Sequence, residues 1–301
     1  MYPLQTIRRA NLWISSPSTL LSKGSLEEYG SLGGWPHSSR PPSSSAHLPA
    51  YTGIHAFIQR HEILRKLAHV SMGLAILLMY SHGIRPQRIT PWLLSSALFI
   101  AGFDVTRHHL DSVNQPWLNI FGIFLRNTEV AGYNPVIWFL LGSYIALQFF
   151  PEDVALMAVL LLSVSDTAAS TFGRLYGRYT TTLRPGKTLA GSMAAGTAGV
   201  VTAACFWGYF VPYAREFPGT GDDAFMFTGR LCMDSLLSHG YRDQSSCGDV
   251  IDGPMALGAV SIVTGFVAAG SELVDVLGLN DNITIPVLSS VWLCTFFRMF
   301  G

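Results

Sequence analysis

Beyond residue 60 the chain alternates long apolar runs with short polar breaks. The runs cover roughly 67–84, 89–105, 133–150, 153–170, 189–211, 255–271 and 284–299. A helix needs about 20 mostly apolar residues to cross a bilayer. The pattern therefore predicts an all-α polytopic membrane protein with about seven transmembrane helices. Several runs are short or interrupted by His, Asp or Gly, so one of them is expected to be re-entrant or interfacial. Pro91, Pro135 and Pro286 stand near segment starts, where a missing N–H costs little.

The first 60 residues lack this pattern. They are rich in Ser, Gly and Pro and have little to bury, as in "SSPSTLLSKGSLEEYGSLGGWPHSSRPPSSSAHLPA". They read as a disordered tail, 1–60, ahead of a membrane domain, 61–301. No apolar stretch in the tail resembles a cleaved signal peptide. Arg8 and Arg9, with no acid before Glu27, give a faint presequence signal. Residues 212–254 form an acidic polar insertion between two apolar runs.

Composition agrees with lipid as the solvent. The 301 residues are 49% hydrophobic and 13% charged, against about 25% charged in soluble proteins. A net charge of zero argues against a general nucleic-acid binder. The four cysteines, at 205, 232, 247 and 294, show no metal-binding spacing. Cys205 and Cys294 fall in apolar runs and read as small buried hydrophobes.

Charge also sets the orientation. If the breaks alternate sides, thirteen of the 19 Lys and Arg share a side with the N-terminus. The positive-inside rule then places the N-terminus in the cytosol. The clusters "HEILRKLAH", "FDVTRHH", "LRNTEV", "SDTAASTFGRLYGR", "RPGKTLAGS" and "SELVDVLGLNDN" all come to that face. Insertion 212–254 comes to the other, where Cys232 and Cys247 could pair in an oxidising lumen. It is expected to be peripheral to any chemistry.

Gly186, Lys187 and Thr188 spell the end of a P-loop. That motif needs a glycine at position 181, which is Thr181, and a preceding strand rather than an apolar span. The P-loop is excluded. What remains is Asp166 at the end of an apolar run, followed by Arg174, Arg178, Arg184 and Lys187 in one short loop. A carboxylate at that depth usually marks a site, as a Mg2+ ligand or a general base, although it could only cap the segment. Asp104, Glu129, Glu272, Asp275 and Asp281 are its possible partners. Cations among Gly173, Gly177, Gly186 and Gly191 suit a polyphosphate. "AGSMAAGTAG", 190–199, reads as tight helix packing. Arg65, Lys66 and His69 precede the first span; Lys66 and His69 share a helix face, and the cations could equally snorkel to the interface. Asp104 with Arg107, and Arg126 with Glu129, have ion-pair spacing.

Together "RKLAHVSMG", "SDTAASTFGR", "GKTLAGSMAA" and "LNDNITIP" resemble the CTP-dependent lipid kinases. That group includes fungal diacylglycerol kinases, dolichol kinase and phytol kinase, and is distantly similar to phosphatidate cytidylyltransferases. The resemblance covers roughly 60–211 and 255–299 and is strongest to the diacylglycerol kinases of the endoplasmic reticulum and nuclear envelope. It implies CTP as phosphate donor, diacylglycerol as acceptor, phosphatidate as product, and Mg2+, or Ca2+ in its place. It implies that Arg65, Lys66, Asp166 and Lys187 are catalytic. Gly173, Arg174, Arg178, Gly186, Thr188, Gly191, Ser192 and Asn282 would bind CTP, and Asp166 with Asp281 the metal. Asn280 stands where the family has a second acid beside Asp281. The alternatives are another lipid acceptor, dolichol or phytol, or cytidylyl transfer. A non-enzyme alternative is a small ion-coupled transporter, which would place charges near the midplane and show an inverted repeat.

Overall fold

The apolar run 153–170 becomes the axis of the structure, a computed structural model that describes residues 53–60, 62–121, 132–214, 224–232, 250–275 and 278–301. Residues 153–163 are all buried. A helix apolar on every side belongs at the centre of a bundle, and the others pack round it. They are α1 (Gly53–Arg60), α2 (Ile63–Ser81), α3 (Pro86–His109), α4 (Asp111–Phe121), α5 (Pro135–Phe149), α6 (Glu152–Leu160), α7 (Asp166–Tyr176), α8 (Leu189–Cys205), α9 (Val211–Ala214), α10 (Gly253–Leu273) and α11 (Asp281–Phe300). A π-helical turn, Leu161–Ser165, joins α6 to α7 without a break.

Six helical stretches are long and apolar enough to cross a membrane: Ile63–Ser81, Pro86–His109, Glu152–Tyr179, Leu189–Ala214, Gly253–Leu273 and Asp281–Phe300. The seventh run forms α5, only 15 residues long, which is the short segment the sequence anticipates. The protein is an all-α, multi-pass membrane protein. Trp92, Phe99, Phe266 and Trp292 lie exposed on the outside of the bundle, where acyl chains replace water. Helix α1 falls inside the stretch read as a disordered tail. Residues 1–52 lie outside the described residues, as does the Arg126–Glu129 pair.

Small residues set the closest approaches. At Gly265 an added Cβ would stand 2.4 Å from Val200 Cγ2 and 2.8 Å from the Gly196 carbonyl oxygen, so α8 and α10 meet nearly backbone to backbone. The run 190–199 thus packs as its spacing suggests. The buried Asp104–Arg107 pair, at 2.6 Å, is internal scaffolding. Arg107 also donates to the Gly132 carbonyl at 2.7 Å, and Asp104 accepts the Asn134 N–H at 2.9 Å. The pair fastens α3 to the start of α5.

Two small hairpins mark opposite ends. Strands β1 (Thr182–Arg184) and β2 (Lys187–Thr188) follow α7. Strands β3 (Arg230–Cys232) and β4 (Val250–Asp252) come from the acidic insertion. Asp153 accepts the Phe227 N–H at 3.1 Å and the Trp207 indole N–H at 3.4 Å, and Phe225, Phe227 and Leu231 are buried. Cys232 is disulfide-bonded; Cys205 and Cys294 are free, Cys294 buried as its apolar run suggests but Cys205 exposed, and Cys247 lies outside the described residues. Asp153 and Asp166 are thirteen residues apart on one helix, about 20 Å along its axis. The insertion therefore anchors at the end away from Asp166.

Candidate active site at one end of the bundle

Asp166 opens α7 directly after the π-helical turn. One extra residue per turn shifts the helix phase, and such turns recur at functional sites. Here the turn lies between the buried half of the span and the half that carries polar residues.

The hairpin that follows explains the "RPGK" signal. Arg184 pairs with Lys187 across a two-residue turn. Pro185 takes the first corner and Gly186, at φ 78°, the second, the arrangement of a type II turn. The turn delivers Lys187 to the open ends of α10 and α11. Its ammonium donates to Glu272 Oε1 at 2.5 Å and Asp281 Oδ2 at 2.7 Å. Burial alone would push that ammonium down, but the two carboxylates outweigh it and hold the Lys187 pKa above the usual lysine value. Arg184 pairs with Asp275 and donates to the Leu273 carbonyl at 3.1 Å, tying the hairpin to the end of α10.

Thr188 caps α8, accepting the Gly191 N–H at 3.3 Å. Two glycines let α7 close on that cap. A Cβ at Gly173 would meet Thr188 Oγ1 at 3.3 Å and Gly191 Cα at 3.5 Å, and one at Gly191 would meet the Ala169 carbonyl at 3.0 Å. From the sequence these glycines read as ligand contacts. They also serve helix approach, and both still line the pocket.

The pocket is a cavity of about 590 Å3. Eleven of the thirteen residues that the sequence assigns to catalysis, CTP or the metal line it: Arg65, Asp166, Gly173, Arg174, Gly186, Lys187, Thr188, Gly191, Ser192, Asp281 and Asn282. They arrive from α2, α7, the hairpin, α8 and α11. Lys66 and Arg178 are not among the lining residues. The Arg178 guanidinium lies over the Tyr179 ring, 4.5 Å from its centroid. Asn282 donates to the Pro135 carbonyl at 3.1 Å and so fastens α11 to α5. His69 Nδ1 stands 3.9 Å from Asp166 Oδ2.

Two acids complete the site. Glu272 lines the cavity from the last turn of α10; sequence reading held it only as a possible partner of Asp166. Glu62 was not singled out at all. It pairs with Arg65 at 2.7 Å and also with Arg174, so both arginines share one counter-ion. Its only sequence signal is an acid three residues before an arginine, which many surface helices have.

Oxygen donors suited to a hard cation are present. Among the described residues no three His, Cys, Asp or Glu side chains form a self-contained metal cage. A nucleotide-bound Mg2+ does not need one, because it takes one or two carboxylates and fills its shell with phosphate and water. Glu272 Oε2 is buried and has no hydrogen-bond donor, and Asp166 and Asp281 lie close enough to repel its charge. Acids and cations nearly balance in this pocket, so a bare polyphosphate would meet little net attraction. Its metal complex fits better.

Comparison with known proteins gives the setting. The model of the Cytidylyltransferase family matches residues 12–278. The chain is 35% identical over 258 residues to "CTP-dependent diacylglycerol kinase 1" of Eremothecium gossypii, which spans 84% of this chain and 73% of that protein. It is 34% identical over 260 residues to the protein of the same name from Saccharomyces cerevisiae, 86% of this chain and 81% of that one. Against the Schizosaccharomyces pombe protein of that name the figures are 33% over 234 residues, 77% and 92%. No solved structure matches.

Proposed function

Because the chain belongs to the cytidylyltransferase family and shares about a third of its sequence with three CTP-dependent diacylglycerol kinases, we propose that its cavity is the active site of that same reaction. The protein is a phosphotransferase that moves the CTP γ-phosphoryl group to diacylglycerol. The bond from the γ-phosphorus to the β–γ bridging oxygen breaks. A bond from that phosphorus to the lipid hydroxyl oxygen forms, CDP leaves and phosphatidate remains. The observation that carries the site reading is the convergence of Asp166, Lys187, Asp281, Arg65 and Arg174 on one cavity.

Phosphoryl transfer needs positioning and charge neutralisation more than covalent help. Arg65, Arg174 and Lys187 offset phosphate charge. The capped end of α8, with Thr188, Gly191 and Ser192, holds the phosphate chain. Asp166, with Asp281 as the motifs suggest, would hold Mg2+, which when bound would neutralise charge developing on the transferred group. The alternative role for Asp166 is to accept the hydroxyl proton. CTP enters from the cytosolic face and the lipid sideways from the bilayer. The endoplasmic reticulum or nuclear envelope, with the N-terminus cytosolic, is the location this reading expects.

The test uses purified full-length protein in mixed micelles with diacylglycerol, Mg2+ and CTP labelled at the γ- or the α-phosphate. Dolichol, phytol and phosphatidate serve as parallel acceptors. γ-Label is expected in phosphatidate, and Asp166→Asn is expected to abolish it while the protein stays folded. α-Label in lipid would replace the kinase with cytidylyl transfer. Substantial activity in Asp166→Asn would remove that residue from the mechanism.

A further inference from the structure

We infer that Glu272, together with Asp166, is the carboxylate pair that takes the divalent cation, and that Lys187 is its built-in counter-ion until the cation arrives. This rests on the kinase reading of the cavity and goes beyond the Asp166–Asp281 pairing that the motifs suggest.

Glu272 and Asp281 differ in surroundings. The Glu272 side chain is 7% exposed and that of Asp281 45%. An exposed carboxylate is satisfied by water. A buried one is not, and an unpaired buried acceptor is costly. Glu272 spends Oε1 on Lys187, while Oε2 is buried in the cavity wall with no donor. Asp166 lies across from it with His69 Nδ1 at 3.9 Å, too far for a hydrogen bond. A buried carboxylate oxygen without a donor, facing the charge of a second carboxylate, is a site for a hard cation.

Lys187 supplies the second observation. Its ammonium bridges Glu272 and Asp281, which partly answers the charge the acids place there. It cannot hold those carboxylates tightly and grip a phosphate with the same N–H groups. A divalent cation on Glu272 and Asp166 would release it towards the nucleotide. Cation and lysine thus compete for Glu272, and removing the lysine should strengthen cation binding while removing phosphate binding.

Mn2+ accepts the same oxygen donors as Mg2+ and is visible by electron paramagnetic resonance. The experiment titrates full-length protein in detergent with Mn2+ and no nucleotide. Glu272→Gln should weaken binding at least about tenfold, and more than Asp281→Asn does. Lys187→Met should tighten it at least about tenfold while losing γ-phosphoryl transfer. Glu272→Gln binding Mn2+ as tightly as the unaltered protein would overturn the inference. So would Lys187→Met that binds no more tightly, and this variant decides the matter if Glu272→Gln does not fold. Mn2+ binding that follows these expectations without γ-transfer by the unaltered protein would leave the cation site standing and remove the kinase reading. Transfer together with unchanged Mn2+ binding in Glu272→Gln would do the reverse.

Discussion

Replacing Glu62 with glutamine should make the enzyme bind CTP more tightly. Glu62 holds Arg65 at 2.7 Å and Arg174 as well, and both arginines line the cavity. If they are phosphate ligands, the nucleotide must take them from Glu62. Arg65 and Glu62 are both mostly buried, at 15% and 11% exposure, so their charged hydrogen bond is worth about 1.5–3 kcal/mol. Arg174 is 40% exposed, and its pair adds at most about 1 kcal/mol. Glutamine keeps one acceptor and loses the charge, which removes roughly half the total, about 1.5 kcal/mol. That is about a tenfold fall in the KM for CTP, with kcat nearly unchanged. Initial rates with γ-labelled CTP at saturating diacylglycerol would measure it. The difference from the unaltered enzyme should narrow as salt screens the pairs. A raised KM would refute the reasoning, because it would mean that Glu62 holds the arginines in their working positions.

Three further outcomes follow from the geometry. Gly265→Ala should lower the melting temperature by a cost of about 1–3 kcal/mol, since its Cβ would strike Val200 and the Gly196 carbonyl; Gly258→Ala, with open space, should gain up to about 1 kcal/mol. Asp153→Ala should cost about 1–3 kcal/mol by stranding the Phe227 N–H and the Trp207 indole, and kcat per folded molecule should stay unchanged because the site is at the other end. Lys187 has a raised pKa, so its ion pairs contribute fully below lysine's usual value and fade only as pH climbs through the raised one. The difference in melting temperature between the unaltered protein and Lys187→Met should therefore still be present at about pH 10.

Much of the site is written locally. Asp166 is a carboxylate at the end of an apolar span, so a linear reading finds it; Pro185-Gly186 and Thr188 carry local turn and cap signals that the ligand reading of the loop passes over. The spans are legible for the same reason, because a run of apolar residues needs no partner to be recognised. Glu62 and Glu272 are different. Each is an ordinary acid at a helix end, and only the fold makes it important, by bringing Glu62 within reach of Arg174, 112 positions away, and Glu272 within reach of Lys187, 85 positions away. Gly173 and Gly191 read as ligand contacts from sequence because a sequence does not distinguish backbone approaching substrate from backbone approaching backbone. Asp104 and Arg107, three apart on α3, were readable as a pair because both partners lie on one helix.

The π-helical turn at Leu161–Ser165 divides the central span into two registers. Each residue turns an α-helix by about 100°, so the extra residue sets the direction of Asp166 independently of the apolar positions before it. Substitutions among residues 153–160 can change how the bundle fills without redirecting the acid. Removing a single residue from the turn would do the opposite. It would turn α7 as a whole, taking Gly173 off the Thr188 cap and Asp166 to the wrong neighbours, in a chain that still passes every test of hydropathy. In this protein a one-codon deletion in an apolar stretch is expected to silence the chemistry without touching a charged residue.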